Sequence, residues 1–291
     1  MTGVWGVRRT KYEVREAGDL GLRPYTFALF SATPTIRHGI TTRTPGLWRE
    51  GDMSFTTGGD PRAVYASRAA WAAAIGVAGA DLVVGRLVHG AAVGRVEVAD
   101  RGRGAGSLDG ALPPSDALLT AAPGVPLFMT FADCTPLLFH DPARGVIGLA
   151  HAGWRGSVLD IAGATVRAMV AGYGSRARDI RVGIGPAIGR CHYVVGHDVI
   201  DAWRALDLAE DDERVRRVAS PEAPSGGRDQ WRFDLPLANR VLLERAGVRP
   251  EQIEDASLCT ACHVERFFSH RAEAGRTGRF AAMIALAPRG D

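Results

Sequence analysis

The sequence predicts a single-domain α+β protein. Segments with apolar residues at helical spacing and short β-branched runs follow one another without the strict βαβ alternation of a doubly wound fold. The 291 residues are 46% hydrophobic and 23% charged, an ordinary globular composition. The Gly- and Pro-rich segment 101–116 contains no charge run, so it predicts a surface loop and not a domain linker. We therefore expect one domain over residues 21–291, preceded by a loose arm at residues 1–20.

The first third of this domain predicts a helix followed by a hairpin. The segment DPRAVYASRAAWAAAIG (60–76) has the pattern of a helix that is capped by Asp60 and closed by Gly76. The next two apolar runs, LVVGRLVHG and AAVGRVEV (82–98), predict two strands that pair as a hairpin around Gly90.

The remainder of the chain predicts buried strands alternating irregularly with helices. We expect strands over 126–141, 145–154 and 180–186, helices over 156–174, 196–206 and 233–248, and closing strands over 257–271 and 278–287. The charged stretch between the last two helices is typical of a solvated excursion.

Charge and composition limit the classes of partner. The net charge is +3, and the arginines are scattered along the chain, which suits an anionic small molecule but is too weak to predict nucleic-acid binding. The N-terminal residues lack the apolar region of a signal peptide, and no stretch approaches the roughly 20 apolar residues of a membrane span. We expect a cytoplasmic protein without a membrane partner. Its four cysteines then predict thiols, metal ligands or a nucleophile in preference to disulfides.

Three potential metal ligands fall at the ends of predicted strands. These are His89, Cys134 and His151. Side chains at the ends of neighbouring strands can converge on one point. Two imidazoles and a thiolate suit Zn²⁺, and three protein ligands leave a fourth position open, as in catalytic zinc sites. The competing interpretation is structural, because single buried histidines and cysteines are common in cores.

The same residues also allow a metal-free nucleophilic site. Cys134 would attack as the thiolate, His151 would be its base, and Asp116 or Asp133 would orient the imidazole. The sequence HAGWRG (151–156) places a Gly-rich turn before a helix, where backbone N–H groups and Arg155 can bind an anion. Sequence alone does not separate a Cys-His pair from a Cys-His zinc site.

A third interpretation is a binding module with a structural zinc, which requires a fourth protein ligand from Cys259, Cys262 or His263. These residues belong to CTACH (259–263), which matches the pattern for haem attachment, although nothing in the sequence predicts the export that this attachment needs. A pair of cysteines packed near the site, or a structural C-x-x-C, is the interpretation we prefer.

Taken in order, several motifs resemble those of one family. They are LVHG, DALLT, FADCTPLLFHD, GVIGLAHAGWRG, IGPAIGRCHYVVG, LCTACHVERFFSHR and TGRFAAMIAL. This set is similar to the YfiH/YlmD family of laccase-domain, or polyphenol oxidase, proteins, and the resemblance extends from about residue 36 to 288. ADC followed by HAGW is its most specific part.

The resemblance implies a layered α/β/β/α sandwich of mixed sheets. It also implies a catalytic zinc on His89, Cys134 and His151, with copper as an alternative in vitro. The implied activity is phosphorolysis of adenosine, inosine and S-methyl-5'-thioadenosine to base and sugar 1-phosphate, with adenosine deamination in addition. The name laccase fits poorly, because multicopper oxidases need repeated H-x-H pairs and none of the eight histidines forms one.

We combine the two lines of reasoning into roles for individual residues. Cys134, His151 and Asp133 are the candidate catalytic residues. The candidate substrate-binding residues are Arg68, Asp116, Arg155 and Arg271, because guanidinium groups grip oxyanions and a carboxylate can orient a histidine or assist proton transfer. The expected partners are purine nucleosides and phosphate, acted on by a monomer or small homo-oligomer.

Overall fold

Two mixed β-sheets lie face to face in the computed structural model of the chain, which describes residues 21–31, 33–208, 212–221 and 230–288. The arm predicted at residues 1–20 lies outside this range, as does part of the charged excursion. The strands of the described residues are β1 (Ile36–Ile40), β2 (Val83–Arg86), β3 (Val93–Arg95), β4 (Leu112–Pro114), β5 (Ala117–Thr120), β6 (Leu127–Phe131), β7 (Thr135–Asp141), β8 (Val146–Ala152), β9 (Arg181–Ile184), β10 (Val194–Val195), β11 (Ala219–Pro221), β12 (Trp231–Phe233), β13 (Ile253–Asp255) and β14 (Phe280–Leu286).

Most of the helices cover the two outer faces of these sheets, whereas the first packs into the space between the sheets through Phe30. Those of the described residues are α1 (Ala28–Ser31), α2 (Pro61–Ala74), α3 (Trp154–Val158), α4 (Ile161–Tyr173), α5 (His197–Arg204), α6 (Glu213–Val218) and α7 (Leu235–Arg245). Among the described residues, no helix combines the length and apolar composition that crossing a bilayer demands.

The strand order combines parallel and antiparallel pairs in each large sheet. The five-stranded sheet has the order β1-β14-β6-β2-β4, with β2 parallel to both of its neighbours. The six-stranded sheet has the order β13-β9-β7-β8-β5-β3, with its two edge strands parallel to their neighbours. A small antiparallel sheet has the order β10-β12-β11.

Alternation of side chains along the strands builds three apolar layers. On β6, Met129 and Phe131 point into the space between the large sheets, whereas Phe128 points outward to Trp71 of α2. The outer face of the six-stranded sheet packs against α4, α5 and α7. Both large sheets are thus buried on both faces, and the α/β/β/α order implied by the family resemblance is confirmed.

Local signals predicted α2, α5 and α7, whereas α1 was not predicted and α6, with the buried Val218, lies in the charged stretch that was expected to be a solvated excursion. The Asp60 side chain accepts a hydrogen bond from the N–H of Arg62 and caps α2, as expected. The helix predicted over 156–174 is interrupted, because Asp160 adopts a left-handed φ of 59° and its carboxylate caps α4 through the N–H of Gly163. α3 and α4 therefore replace one continuous helix.

The hairpin predicted around Gly90 is wrong. Its first strand, β2, belongs to the five-stranded sheet, and its second, β3, belongs to the six-stranded sheet. The chain crosses between the sheets in residues 87–92, where His89 takes a left-handed φ of 59°. Two apolar runs joined by a short turn resemble a hairpin in sequence, but each strand here pairs with a strand distant in the chain.

The strand predicted over 126–141 is also divided between the sheets. β6 lies in the five-stranded sheet and β7 in the six-stranded sheet, and residues 132–134 join them in a turn with Asp133 at a φ of 83°. Residues 257–271 form turns and not the predicted strand. The predicted loop 101–116 contributes the short strand β4, whose prolines are tolerated because it is an edge strand.

Candidate active site

The register of three strands brings distant residues together at one end of the sheets. Pro136 of β7 pairs with His151 of β8, which places Cys134 beside the end of β8. Ala117 of β5 pairs with Ala150, which places the preceding Asp116 next to His151. The crossover 87–92 brings His89 to the same point.

His89, Cys134 and His151 form a compact cluster. One nitrogen of each imidazole and the Cys134 sulfur all lie within 4.8 Å of one another. The two imidazole rings meet edge to face, with their centroids 4.9 Å apart. His151 is buried, Cys134 is half-buried and His89 is exposed, so the cluster opens outward on the His89 side.

The buried carboxylate of Asp116 fixes both histidines. It accepts hydrogen bonds from the backbone N–H groups of residues 88–90, over distances of 2.8 to 3.2 Å. Its Oδ1 also lies 3.2 Å from Nδ1 of His151, which leaves Nε2 of that ring free to face the cluster. Asp116 thus holds the backbone of His89 and the ring of His151.

The backbone around the cluster leaves space for a bound group. A Cβ atom at Gly153 would lie 2.9 Å from the Cys134 sulfur and 3.4 Å from Cδ2 of His89, so any larger residue would crowd the two side chains. The left-handed conformations of His89 and Asp133 lie at the same place, and backbone strain of this kind concentrates at functional sites.

The charges of the cluster are strongly coupled. Burial opposes ionisation of the Cys134 thiol, but the imidazoles of His151 and His89 stabilise the thiolate more strongly and lower its pKa to about 6. Burial likewise opposes protonation of His151, yet the Cys134 thiolate and Asp116 outweigh it and raise the pKa of His151 to about 9. At neutral pH and without a cation, these shifts favour a thiolate at Cys134 and an imidazolium at His151.

These donors fit a metal ion of borderline softness. A thiolate and two neutral imidazoles are ligands that Zn²⁺ accepts, and the cation would replace the proton that His151 otherwise holds. The cluster gathers three donors among the described residues. Cys259 and Cys262, expected as a possible fourth ligand, lie in a second cluster with Cys191 and His192. Nδ1 of His263 faces Glu265. The closed site of the structural-zinc interpretation does not form from these residues.

A cavity of about 800 Å³ opens directly onto the cluster. This volume lies within the range of small-molecule pockets, which span roughly 300 to 1,000 Å³. Among the described residues that line it, Asp133 is the one carboxylate. The arginines that line it are Arg68, Arg86, Arg155, Arg271 and Arg279, and the aromatic residues are Phe55, Trp154 and Tyr193. The cavity thus offers cationic groups for an anion and flat faces for a ring.

Asp133 lies on the cavity wall in a fixed orientation. Its Oδ1 accepts a hydrogen bond from the Thr260 hydroxyl at 2.6 Å, and its Oδ2 accepts one from the N–H of Arg271 at 2.7 Å. The side chain is 8% exposed. A carboxylate held in this way, next to Cys134, is placed to exchange a proton with a bound molecule.

Arg155 and Arg271 both face the cavity, and they differ in how their guanidinium groups are held. Arg155 lies over the Trp154 ring at 4.4 Å, and among the described residues no hydrogen bond or ion pair involves its guanidinium. Arg271 donates from Nη1 to the Val194 carbonyl and lies over the Tyr193 ring. Arg155 is thus the less constrained of the two for binding an oxyanion.

Two predicted substrate-binding residues take other roles. Asp116 contacts the His151 ring and does not line the cavity, so its contacts favour a positioning role over a substrate contact. Arg68 lines the cavity but is 1% exposed, and its guanidinium donates to the carbonyls of Met53, Gly104 and Ala105. Burial lowers the pKa of Arg68 to about 9. These contacts indicate a structural role for Arg68.

Several cavity residues were missed by the sequence analysis. Trp154 and Tyr193 are the last residues of two motifs that were recognised, HAGW and RCHY, and their aromatic character was the available signal. No local sequence pattern marks Arg86 or Arg279 as a cavity residue. Arg86 is the last residue of β2, and Arg279 directly precedes β14. Only the pairing of these strands with others brings the two arginines to the cavity.

Solved structures and curated proteins share this fold. The crystal structure of YlmD from Geobacillus stearothermophilus superposes with a TM-score of 0.84 at 34% identity, covering 92% of this chain and 97% of that one. The chain is thus a layered α+β protein of the YfiH/YlmD type, with a Cys-His cluster at a cavity. It belongs to the family described as multi-copper polyphenol oxidoreductase laccase, which matches residues 36–287.

The curated relatives have names that describe activities. A protein of Geobacillus stearothermophilus named purine nucleoside phosphorylase YlmD is 41% identical over 201 residues, covering 68% of this chain and 69% of that protein. A protein from an unknown prokaryotic organism, named adenosine deaminase RL5, is 32% identical over 222 residues, covering 76% and 81% respectively. Relatives of this chain are therefore named as enzymes that act on purine nucleosides.

The lowered pKa of Cys134 predicts unusual thiol reactivity. In protein stripped with a chelator, alkylation of Cys134 by iodoacetamide is expected to rise with pH through a midpoint near pH 6, because the thiolate is the reacting form. His151→Gln removes the main stabilising partner, so its midpoint should move towards the ordinary thiol value of about 8.5. Mass spectrometry of the Cys134 peptide measures both midpoints. Equal midpoints in the two proteins would contradict the coupling.

Proposed function

We propose that this protein is a zinc-dependent purine nucleoside phosphorylase. It would convert adenosine, inosine and S-methyl-5'-thioadenosine to the free base and the sugar 1-phosphate, and would also deaminate adenosine. The observation that carries this proposal is the three-donor cluster of His89, Cys134 and His151 at a cavity with arginines and aromatic rings on its walls. The names of the curated relatives agree with it.

Zinc is the proposed metal because of the donor set and its openness. His89 and His151 would supply two imidazoles and Cys134 one thiolate, and all three residues line the cavity. When bound there, zinc supplies a Lewis acid that polarises an oxygen of phosphate or water. The family description names several coppers, but neither cluster in the described part of the chain offers more than two imidazoles.

The residues of the cavity divide the remaining tasks. Arg155 and Arg271 are proposed to hold phosphate, which they can grip through paired N–H donors. Trp154 and Tyr193 offer faces on which a purine can stack. In phosphorolysis, a phosphate oxygen bonds to C1′ as the bond from C1′ to the base nitrogen breaks. Asp133, fixed beside Cys134, is the proposed group that exchanges a proton with the base.

Deamination would use the same cavity with water in place of phosphate. The oxygen of water adds to the purine carbon that bears the amino group, and ammonia leaves. Asp133 is again the proposed proton carrier.

The proposed substrates are small molecules that a monomer or small homo-oligomer can take up. A reducing cytoplasm would keep the Cys134 ligand available as a thiolate.

A metal-free cysteine hydrolase is the second candidate function. It is favoured by one observation, the sequence of contacts from Asp116 to His151 to Cys134, which resembles the arrangement of an activated nucleophile. This candidate requires activity to survive exhaustive chelation and to be lost on alkylation of Cys134. The zinc proposal requires activity to be lost with the metal and regained when zinc is restored.

Replacing Cys134 tests the proposed function directly. Cys134→Ala should lower the zinc content by about one ion per chain and abolish release of adenine from adenosine and phosphate. Metal analysis and chromatography of the reaction measure the two effects. His197→Ala, an exposed histidine outside both clusters, is the matched control and should keep both properties. If the Cys134 variant bound as much zinc as the wild type and still released the base, the proposal would be overturned.

Removing Arg155 tests the proposed phosphate site. Arg155→Ala should raise the KM for phosphate about tenfold, because a hydrogen bond to a charged group contributes about 1.5 kcal/mol or more. The KM for adenosine in its deamination should change far less. Arg167→Ala, on the exposed face of α4, is the control for loss of positive charge. A rise in both KM values alike would argue against a specific phosphate contact.

Asp116→Asn tests how the ligands are positioned. The substitution keeps the size of the side chain but removes the charge that receives the N–H groups of residues 88–90 and of His151. The affinity of the Cys134 site for zinc should fall by about 10- to 100-fold. Competition with a chelator measures this, with Cys134→Ala as the blank and the exposed Asp109→Asn as the control. Unchanged affinity would show that Asp116 does not position the ligands.

A further inference from the structure

A second group of metal-binding side chains lies outside the cavity. It contains Cys191, His192, Cys259 and Cys262, whose sulfur and nitrogen atoms all lie within 4.8 Å of one another. Nδ1 of His192 is 3.3 Å, 3.7 Å and 3.4 Å from the sulfurs of Cys191, Cys259 and Cys262, respectively. The sulfurs of Cys191 and Cys262 are 3.5 Å apart. One imidazole nitrogen thus faces three sulfurs.

Two turns that are far apart in sequence present these four side chains. The first, residues 189–193, follows β9, and the second, residues 259–263, contains the C-x-x-C pattern. A β-bridge between Ala187 and Cys259 fastens the turns side by side. The N–H of Gly189 donates to the Cys259 sulfur at 3.2 Å, a contact that suits a thiolate acceptor. A Cβ atom at Gly189 would lie 3.2 Å from Cβ of Cys259 and crowd this arrangement.

We propose that these four residues form a second, structural zinc site. Three thiolates and one imidazole are a donor set that structural zinc commonly takes, with tetrahedral geometry. Bond lengths of about 2.3 Å to sulfur and about 2.0 to 2.1 Å to nitrogen place tetrahedral ligands about 3.8 Å apart between sulfurs and about 3.6 Å between sulfur and nitrogen. The Cys191–Cys262 distance and the three distances from Nδ1 of His192 to sulfur already lie within a few tenths of an ångström of these values.

A disulfide accounts less well for the same side chains. The sulfurs of Cys191 and Cys262 would have to move from 3.5 Å to about 2.05 Å. Such a bond would also leave Cys259 and His192 without a reason to face the same point. A metal ion explains why all four donors converge.

The site would stabilise one wall of the cavity. Tyr193 follows His192 directly and lines the cavity, and Thr260 lies between two of the cysteines and donates to Asp133. A metal ion that joins the two turns would therefore fix the orientation of both groups. With four protein donors it has no open position, which distinguishes it from the cluster of His89, Cys134 and His151.

Metal content in a background without Cys134 tests this proposal independently of the enzyme activity. Cys134→Ala should retain about one zinc ion per chain, and adding Cys191→Ser and Cys262→Ser should remove it. Cobalt in place of zinc gives a second readout, because absorption from thiolate to cobalt in the Cys134→Ala protein can arise only from the second site. His192→Cys should keep the metal, whereas His192→Ala should weaken its binding.

Two results would overturn the proposal. One is a Cys134→Ala protein, purified under reducing conditions and loaded with zinc or cobalt, that binds no metal and shows no thiolate absorption. The other is an intact mass two hydrogens lower, with Cys191 joined to Cys262 in a disulfide that persists under reducing conditions. If the triple variant fails to fold, the two His192 variants test the proposal instead. Equal loss of metal in both variants would contradict it, and retention of the metal in His192→Cys alone would support it.

Discussion

The carboxylate of Asp116 is the interaction on which the candidate site depends. It is fully buried, and a buried charge without partners would be strongly destabilising. Three backbone N–H groups of residues 88–90 and Nδ1 of His151 satisfy it. The same contacts fix the turn that carries His89 and select the ring nitrogen that His151 turns towards the cluster. One side chain that does not line the cavity therefore fixes the geometry of two proposed ligands.

The position of Asp116 depends in turn on how the two large sheets are connected. The chain crosses from one sheet to the other in residues 87–92 and again in residues 132–134, at the same end of the molecule. The antiparallel pairing of β8 with β5 and β7 then brings His151 beside both Asp116 and Cys134. The cluster thus exists only when both sheets have formed and packed, so site and core are parts of one cooperative structure.

The sequence predicted what local patterns determine and failed where pairing is non-local. The cap at Asp60 and the α+β class follow from neighbouring residues, and both are confirmed. The hairpin around Gly90 was wrong because periodicity identifies a strand without identifying its partner. His89, Cys134 and His151 were weakly indicated by spacing and were selected by the family resemblance. The sequence left open whether Asp116 or Asp133 orients His151, and the strand register brings Asp116 next to that ring.

The two Cys-His clusters differ in the number of donors. The cluster with three donors can still take up a substrate and suits a catalytic site, whereas the cluster with four donors suits a structural site. A fourth side chain at His89, Cys134 and His151 would close the cluster to substrate. The carboxylate that lines the cavity, Asp133, is kept in place by the Thr260 hydroxyl and the Arg271 N–H. Thr260 belongs to the turn that the proposed second zinc would fasten. A zinc ion bound to this turn would hold Thr260 in place, and Thr260 would in turn hold Asp133 on the cavity wall. Asp133 would then stay away from the open side of the first cluster.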